Sequence, residues 1–450
     1  MRKTNSLWDK FKMLVGVMMP IFVTQLALLS TGFFDTIMAG HASEYDLAGV
    51  AIGSNLFFPV FGGLLGVLSG LTPIIAQLNG AGKKTDIPFV VVQGMYLALA
   101  IGVSVIIIAA VCIDPLLNYM NLNEQVQYVA YGYLTALAWG FCPILVATVL
   151  RNFIDALGYT RITMIITIIA VPVNILMNYI FIFGKWGAPA YGGIGAGIGS
   201  AISYWLVLIL NLLVIKFVRP FSSYQVLASF PRPNWRALVE HLRVGIPIGS
   251  AMFCEQSIFG AVGLFMAAYG TYVIAAHQAA LNFTTMVYMI PLSISMTMTI
   301  LVGYEVGARR WRDARLYSYI GIVFSVLFSG TAALLLTNFK PEIALLYSKD
   351  NTVCQFIEIF LAYAIFLQFS DAVSAPLQGI LRGYKDVKIT LILAIISYWV
   401  AGLPLGYILA TYGDYGPYGY WIGLIAGIFV GAIFLALRLR TVQKRLLNKA

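Results

Sequence analysis

Charge is what this chain has least of: Asp, Glu, Lys and Arg make up 10% of its 450 residues, while 60% are hydrophobic and mean hydropathy is +0.87. A water-soluble fold of ordinary composition is excluded. Cysteine is scarce as well. Cys112, Cys142, Cys254 and Cys354 stand singly with no paired spacing, which indicates neither a disulfide framework nor a zinc site and leaves small buried hydrophobes as the expectation. The three histidines, His41, His241 and His277, make no metal spacing. G-x-S-x-G and H-E-x-x-H motifs are missing. The stretch NGAGKKTD, Asn79–Asp86, lacks the first glycine of a phosphate loop and a Ser or Thr directly after Lys83, so it reads as a basic loop. With these absences an enzyme loses most of its support.

What is present is a series of apolar runs long enough for helices to cross the roughly 30 Å hydrocarbon layer. Breaks at charged residues, Gly and Pro give twelve candidate spans, near 13–40, 46–78, 88–112, 127–150, 162–184, 192–215, 243–270, 274–305, 315–337, 353–380, 387–411 and 417–440. The weak alternation of an outer-membrane barrel is not seen. The first run is too long for a signal-peptide core and is read as a retained helix.

The net charge of +10 does not point to nucleic acid, because the basic residues sort by side. All of the 28 except Lys185, Lys340 and Lys349 fall on one side of the twelve-span pattern, at the start, after the even-numbered spans and at the end. By the positive-inside rule both termini are expected in the cytoplasm.

The chain repeats itself. Residues 17–86 align with 244–313 without a gap, and Pro20/Pro247, Asn55/Asn282, Thr72/Thr299, Gly80/Gly307, Ala81/Ala308 and Asp86/Asp313 coincide. Six spans per half is an even number, so the repeat is parallel. The expected fold is all-α: twelve transmembrane helices in two parallel-repeat six-helix lobes around a central cleft. The N-terminal lobe takes residues 1–215, a basic, proline-broken cytoplasmic linker 216–243, and the C-terminal lobe 244–450. Glycine spacings such as Gly195/Gly199 and Gly423/Gly427/Gly431 are read as close helix packing.

Three acids resist a packing explanation. Asp35 lies in span 1, Glu255 near the middle of span 7 and Asp371 in span 10. A carboxylate at the membrane centre costs about 2.5 to 3.5 kcal/mol even on lenient scales. No Lys or Arg is expected inside these three spans to pair with them, Arg243 standing at the very edge of span 7, so an ion, proton or substrate role is favoured for each. They are not repeat-related, which makes the lobes chemically unequal. Gln25, Asn55, Asn174, Asn178, Gln278 and Asn282 are further cavity-lining candidates. Asn174/Asn178 and Gln278/Asn282 each share a helix face one turn apart, and interhelical hydrogen bonding explains such pairs as well as cavity lining does.

The twelve spans, the QGILRGYKD stretch at Gln378–Asp386, its counterpart ALGYTR at Ala156–Arg161 and the three acids together resemble the multidrug and toxic compound extrusion (MATE) family, in its NorM branch, over essentially the full length. The resemblance implies a secondary antiporter in the inner membrane that exports small cationic amphipathic compounds in exchange for Na⁺ or H⁺. No cofactor beyond the coupling ion, no nucleic-acid partner and a monomer in the bilayer are expected. It assigns Glu255 and Asp371 to the cation site, favouring Na⁺, and makes Asp35 a substrate- or proton-coupling residue. Another branch uses a second aspartate in span 5, where this chain has no acid. Rival readings are a flippase for lipid-linked saccharides, which would want clustered intramembrane Arg or Lys for pyrophosphate, a channel, for which acids gathered in one lobe are a poor fit, and an intramembrane transferase, whose paired metal-binding acids are missing.

Overall fold

A computed structural model describes Thr4 and residues 6–448. Arg2, Lys3 and Lys449, counted above among the basic residues, lie outside the described residues. Among the described residues, twelve helices are long and apolar enough to cross a membrane: span 1 Leu7–Ala42, span 2 Glu44–Gly80, span 3 Ile87–Tyr119, span 4 Glu124–Ala156, span 5 Thr160–Phe183, span 6 Gly193–Phe217, span 7 Trp235–Tyr269, span 8 Thr271–Gly307, span 9 Trp311–Tyr347, span 10 Asn351–Gly383, span 11 Val387–Tyr412 and span 12 Tyr418–Leu447. Each coincides with an expected span and extends past it by up to about three turns, because polar turn residues continue the helix beyond the apolar stretch. The chain is a polytopic all-helical membrane protein. Helices are what an apolar chain of this kind must form, since hydrocarbon offers backbone N–H and C=O groups no partners. Large apolar side chains such as Ile108, Val111, Leu264 and Leu346 accordingly remain exposed.

Local signals set the helix ends. The Ser43 hydroxyl accepts from the Asp46 amide at the start of span 2, and the Asp350 carboxylate accepts from the amides of Thr352 and Val353 at the start of span 10. Asp46 Oδ1 also accepts from the Gly193 amide at 2.6 Å, placing a carboxylate at the N-terminus of span 6. Gly184 closes span 5 with φ of 66°, a left-handed conformation that favours glycine.

Two compact units are distinguished by their internal contacts: one gathers Val23–Gly249, the other the described residues before Val23 with those from Ser250 onward. The division falls inside spans 1 and 7. In the first unit, the core around Leu71, Val91, Leu145, Leu150 and Phe153 joins spans 2, 3 and 4. In the second, Trp421, Phe360, Ile357, Ala276 and Leu424 join spans 8, 10 and 12. The Trp421 indole donates to His277 Nδ1 at 3.1 Å, so this buried histidine serves as an acceptor in a packed core. Cys354 is buried, as expected of a small hydrophobe, whereas Cys112 is exposed.

Span 10 runs as one helix through Pro376 and Gly379. Gly379 lies against the backbone of Ser295 on span 8, where a β-carbon would overlap the Ser295 carbonyl. Thr299 Oγ1 donates to the Gly379 carbonyl at 3.0 Å across the same seam. Irregular backbone appears instead in span 2, broken at Gly70, in span 9, where Phe339 leaves helical geometry just ahead of Pro341, and in span 11, whose Ile396–Gly402 segment is π-helical. Gly379→Ala is expected to cost about 1–3 kcal/mol through overpacking. Thermal unfolding in detergent, with Gly330→Ala as an open-space control, checks this.

Candidate functional site

Asp35 is buried, 7% exposed, at the meeting of spans 1, 5 and 6. Asn178 Nδ2 donates to its Oδ1 at 2.5 Å and Ser200 Oγ to its Oδ2 at 3.1 Å. Asn174 completes the ring, donating to Ser200 Oγ at 3.2 Å and accepting from Asn178 Nδ2 at 3.3 Å. The fold brings these groups together for a local reason. Asn174 and Asn178 lie one turn apart on span 5, and span 6 approaches that face through Gly195 and Gly199, where β-carbons would overlap the Phe181 carbonyl and the Asn178 amide oxygen. Asn178 Oδ1 is buried without a hydrogen-bond partner. An oxygen left unsatisfied beside a carboxylate suits a hydroxyl, a water or a small cation. A cavity of about 90 Å³, large enough for water, borders Asn174 and reaches Thr163 and Arg151, the partners of Asp155.

The second cluster joins spans 7, 8, 10 and 11. Asp371 is 6% exposed and takes no hydrogen bond from any described residue. Glu255, half-buried, accepts from the Tyr288 hydroxyl at 2.9 Å. The two carboxylates are within electrostatic reach of each other, and both act on Tyr288 and Tyr398. Two carboxylates facing each other at membrane depth repel unless a cation or a proton relieves them. Among the described residues no group of three or more His, Cys, Asp or Glu gathers.

Arg382 corrects one expectation. Breakers at the end of span 10 suggested that no basic residue lay inside the acid-bearing helices, yet span 10 continues to Gly383 and takes Arg382 with it. Its charge reaches Glu255, and its Nη2 donates to Gln378 Oε1 at 3.4 Å. The helices of spans 1 and 7 likewise include Lys10, Lys12 and Arg236 in their first two turns and Arg243 in the third. Lys10 is itself buried, paired with Asp313 at 2.9 Å and donating to Thr4.

Of the polar candidates, Asn174 and Asn178 join Asp35. Asn55, Gln278 and Asn282 are exposed, and Asn282 accepts from the Tyr347 hydroxyl at 3.0 Å. Gln25 is half-buried. Sequence reasoning missed Ser200, Tyr288, Tyr398 and Arg382. Only the Gln378–Asp386 motif carried a signal for the last.

The MatE family pattern matches residues 20–180 and again 247–408, one copy on each half of the repeat. The chain belongs to the MatE family. Similar MATE proteins include the probable multidrug resistance protein NorM of Halalkalibacterium halodurans, 49% identical over 445 residues covering 99% of this chain and 97% of that protein. The protein of the same name from Bacillus subtilis is 48% identical over 449 residues, covering 100% and 99%. The fold is also that of a solved multidrug resistance MATE family transporter in an outward-facing conformation, with a TM-score of 0.88, 21% identity and 99% coverage of both chains. As a NorM-like MATE protein the chain is a transporter and not an enzyme, and its twelve-helix architecture is the family's.

Proposed function

We propose that this MATE transporter is a secondary antiporter that exports small cationic amphipathic compounds in exchange for Na⁺ or H⁺, with Glu255 and Asp371 as the cation-coupling pair. The observation that carries this reading is the buried Asp371 carboxylate, with no hydrogen-bond donor and Glu255 within electrostatic reach. Such a pair favours whichever positive ligand relieves it. If driving cation and drug compete for that role, each stabilises a state from which the other is displaced, and exchange follows. The multidrug resistance named for the NorM relatives supports drugs as the cargo.

Na⁺ is favoured as the driving ion because the acids follow the NorM arrangement, and the oxygens of Glu255, Asp371 and Tyr288 can contribute to its coordination. Asp35, with Asn174, Asn178 and Ser200, is assigned a substrate- or proton-coupling role, for which the unsatisfied Asn178 oxygen speaks. A lipid-linked saccharide flippase is the less favoured alternative. Arg382 is a single arginine near the acids rather than the basic cluster that a pyrophosphate would need. In membrane vesicles with imposed gradients, efflux of a fluorescent organic cation should fall when Na⁺ is withdrawn. Efflux unchanged without Na⁺ but driven by a pH gradient alone would transfer the role to H⁺.

Both termini are assigned to the cytoplasm from the basic loops. Impermeant labelling of single cysteines replacing Lys83, Arg232 or Arg310 is expected only from the cytoplasmic side, and of one replacing Lys349 only from outside. Arg310 and Lys349 labelled from the same side would refute the topology.

A further inference from the structure

Span 11 carries no acid, yet its backbone departs from α-helical geometry over seven residues. Ile396–Gly402 forms a π-helix, with the Leu403 amide bonded to the Tyr398 carbonyl five residues back. A π turn accommodates an extra residue, rotating the side chains within it away from the directions an α-helix would give them. Two neighbours in this segment reach the two helices that bear the acids. Tyr398, 3% exposed, shares a small cavity with Ser374 and Gln378 of span 10 and lies within electrostatic reach of Asp371 and Glu255. The Trp399 indole Nε1 donates at 3.3 Å to the carbonyl of Cys254 on span 7, the residue preceding Glu255.

The widened turn is accommodated by span 12. A β-carbon on Gly427 would overlap the Ser397 carbonyl and crowd Gly402, and one on Gly431 would overlap the Ser397 side chain. Gly423 lies equally close to Gly402 and Gly406. The Gly423/Gly427/Gly431 spacing is thus more than a generic helix-packing stripe. It leaves room for this particular irregularity, and an ordinary α-helix in span 11 would need no widened turn there.

We infer that the π turn of span 11 is a clamp, with Tyr398 and Trp399 as positioning residues, that holds spans 7 and 10 at the separation the Glu255–Asp371 pair needs to bind its driving cation. The inference rests on the coupling role proposed above for those two acids. Neither aromatic residue need touch the cargo. Their effect on transport passes through the geometry of the two carboxylates.

The test is deletion of Val400, a 62% exposed residue within the turn, which removes the extra residue and restores an α-helical register while leaving both flanks of span 11 in place. Trp399→Phe, which keeps an aromatic ring but loses the indole donor and the five-membered ring that carries it, accompanies it and stands as the test if the deletion prevents insertion. In proteoliposomes, the concentration of driving cation giving half-maximal efflux should rise about tenfold for the deletion and about fivefold for Trp399→Phe, the weight of one lost hydrogen bond. The half-saturating drug concentration should rise less than the cation's, because ion coordination depends on the separation of the carboxylates more steeply than a single charge contact does, a split that general loosening of the helix would not produce. Gly427→Ala should shift the cation dependence in the same direction. An unchanged cation dependence in Trp399→Phe, while Glu255→Gln abolishes it, would overturn the clamp and leave the coupling role standing. An unchanged dependence in Glu255→Gln as well would overturn both.

Discussion

Asp371→Asn and Glu255→Gln proteins are expected to insert at wild-type levels and to lose gradient-driven efflux, by about a hundredfold, the upper range of coupling between two ligand sites. Each substitution keeps the side chain's shape and some capacity for hydrogen bonding while removing the charge that makes exchange conditional. Asp371 takes no hydrogen bond that its amide would break. Glu255 has one, from Tyr288, and the Gln carbonyl oxygen can accept it. Folding should therefore be spared, because an unpaired carboxylate in a low-dielectric interior contributes no net stability. Efflux at equal expression and chromatographic monodispersity in detergent check the two halves of this expectation. Wild-type rates from Asp371→Asn would make the carboxylate structural.

Asp35→Asn should impair transport about tenfold, on the same scale of coupling energies, while part of the ion response is retained. Its carboxylate oxygens accept from Asn178 and Ser200. An amide can keep only one of those bonds in its original sense: with its oxygen turned to Asn178, the Ser200 hydroxyl must accept from its Nδ2 and give up its own donation. The ring of Asn174, Asn178 and Ser200 is then disturbed, whereas the Glu255–Asp371 pair in the other unit keeps its own partners. Residual drug efflux that still responds to the cation gradient is the predicted signature. Complete loss of the response would mean that Asp35 is itself the coupling carboxylate.

Much of this organisation is legible in the sequence because lipid leaves few choices. Apolar runs must be helices, basic loops sort by side, and an acid inside an apolar run stands out against the background. The shared face of Asn174 and Asn178 follows the same logic, since residues four apart lie together, but their union with Asp35 of span 1 carried no signal. The same spacing in Gln278 and Asn282 is less informative: periodicity shows that two residues point together, not which way, and both are exposed. Ser200 was hidden in a glycine-rich helix whose small residues read as packing. Tyr288 was one tyrosine among 26. Arg382 was placed outside span 10 because Arg382, Gly383 and Lys385 together interrupt the apolar run, whereas Gly379 and Gly383 serve close approach to span 8 inside an unbroken helix. Tyr398 and Trp399 had no signal at all, because a π turn departs from the very period by which helical faces are assigned.

The central claim is exchange, and its most direct measurement is reciprocal flux in one vesicle preparation. Vesicles holding purified protein and equal drug concentrations inside and out are given an inward gradient of the driving cation, and drug movement is followed. A drug gradient is then imposed at equal cation, and cation movement is followed. The account predicts that each gradient drives the other species uphill in the opposite direction, and that Asp371→Asn abolishes both fluxes together. Drug movement down its own gradient that neither moves the cation nor responds to it would contradict antiport through the acid pair.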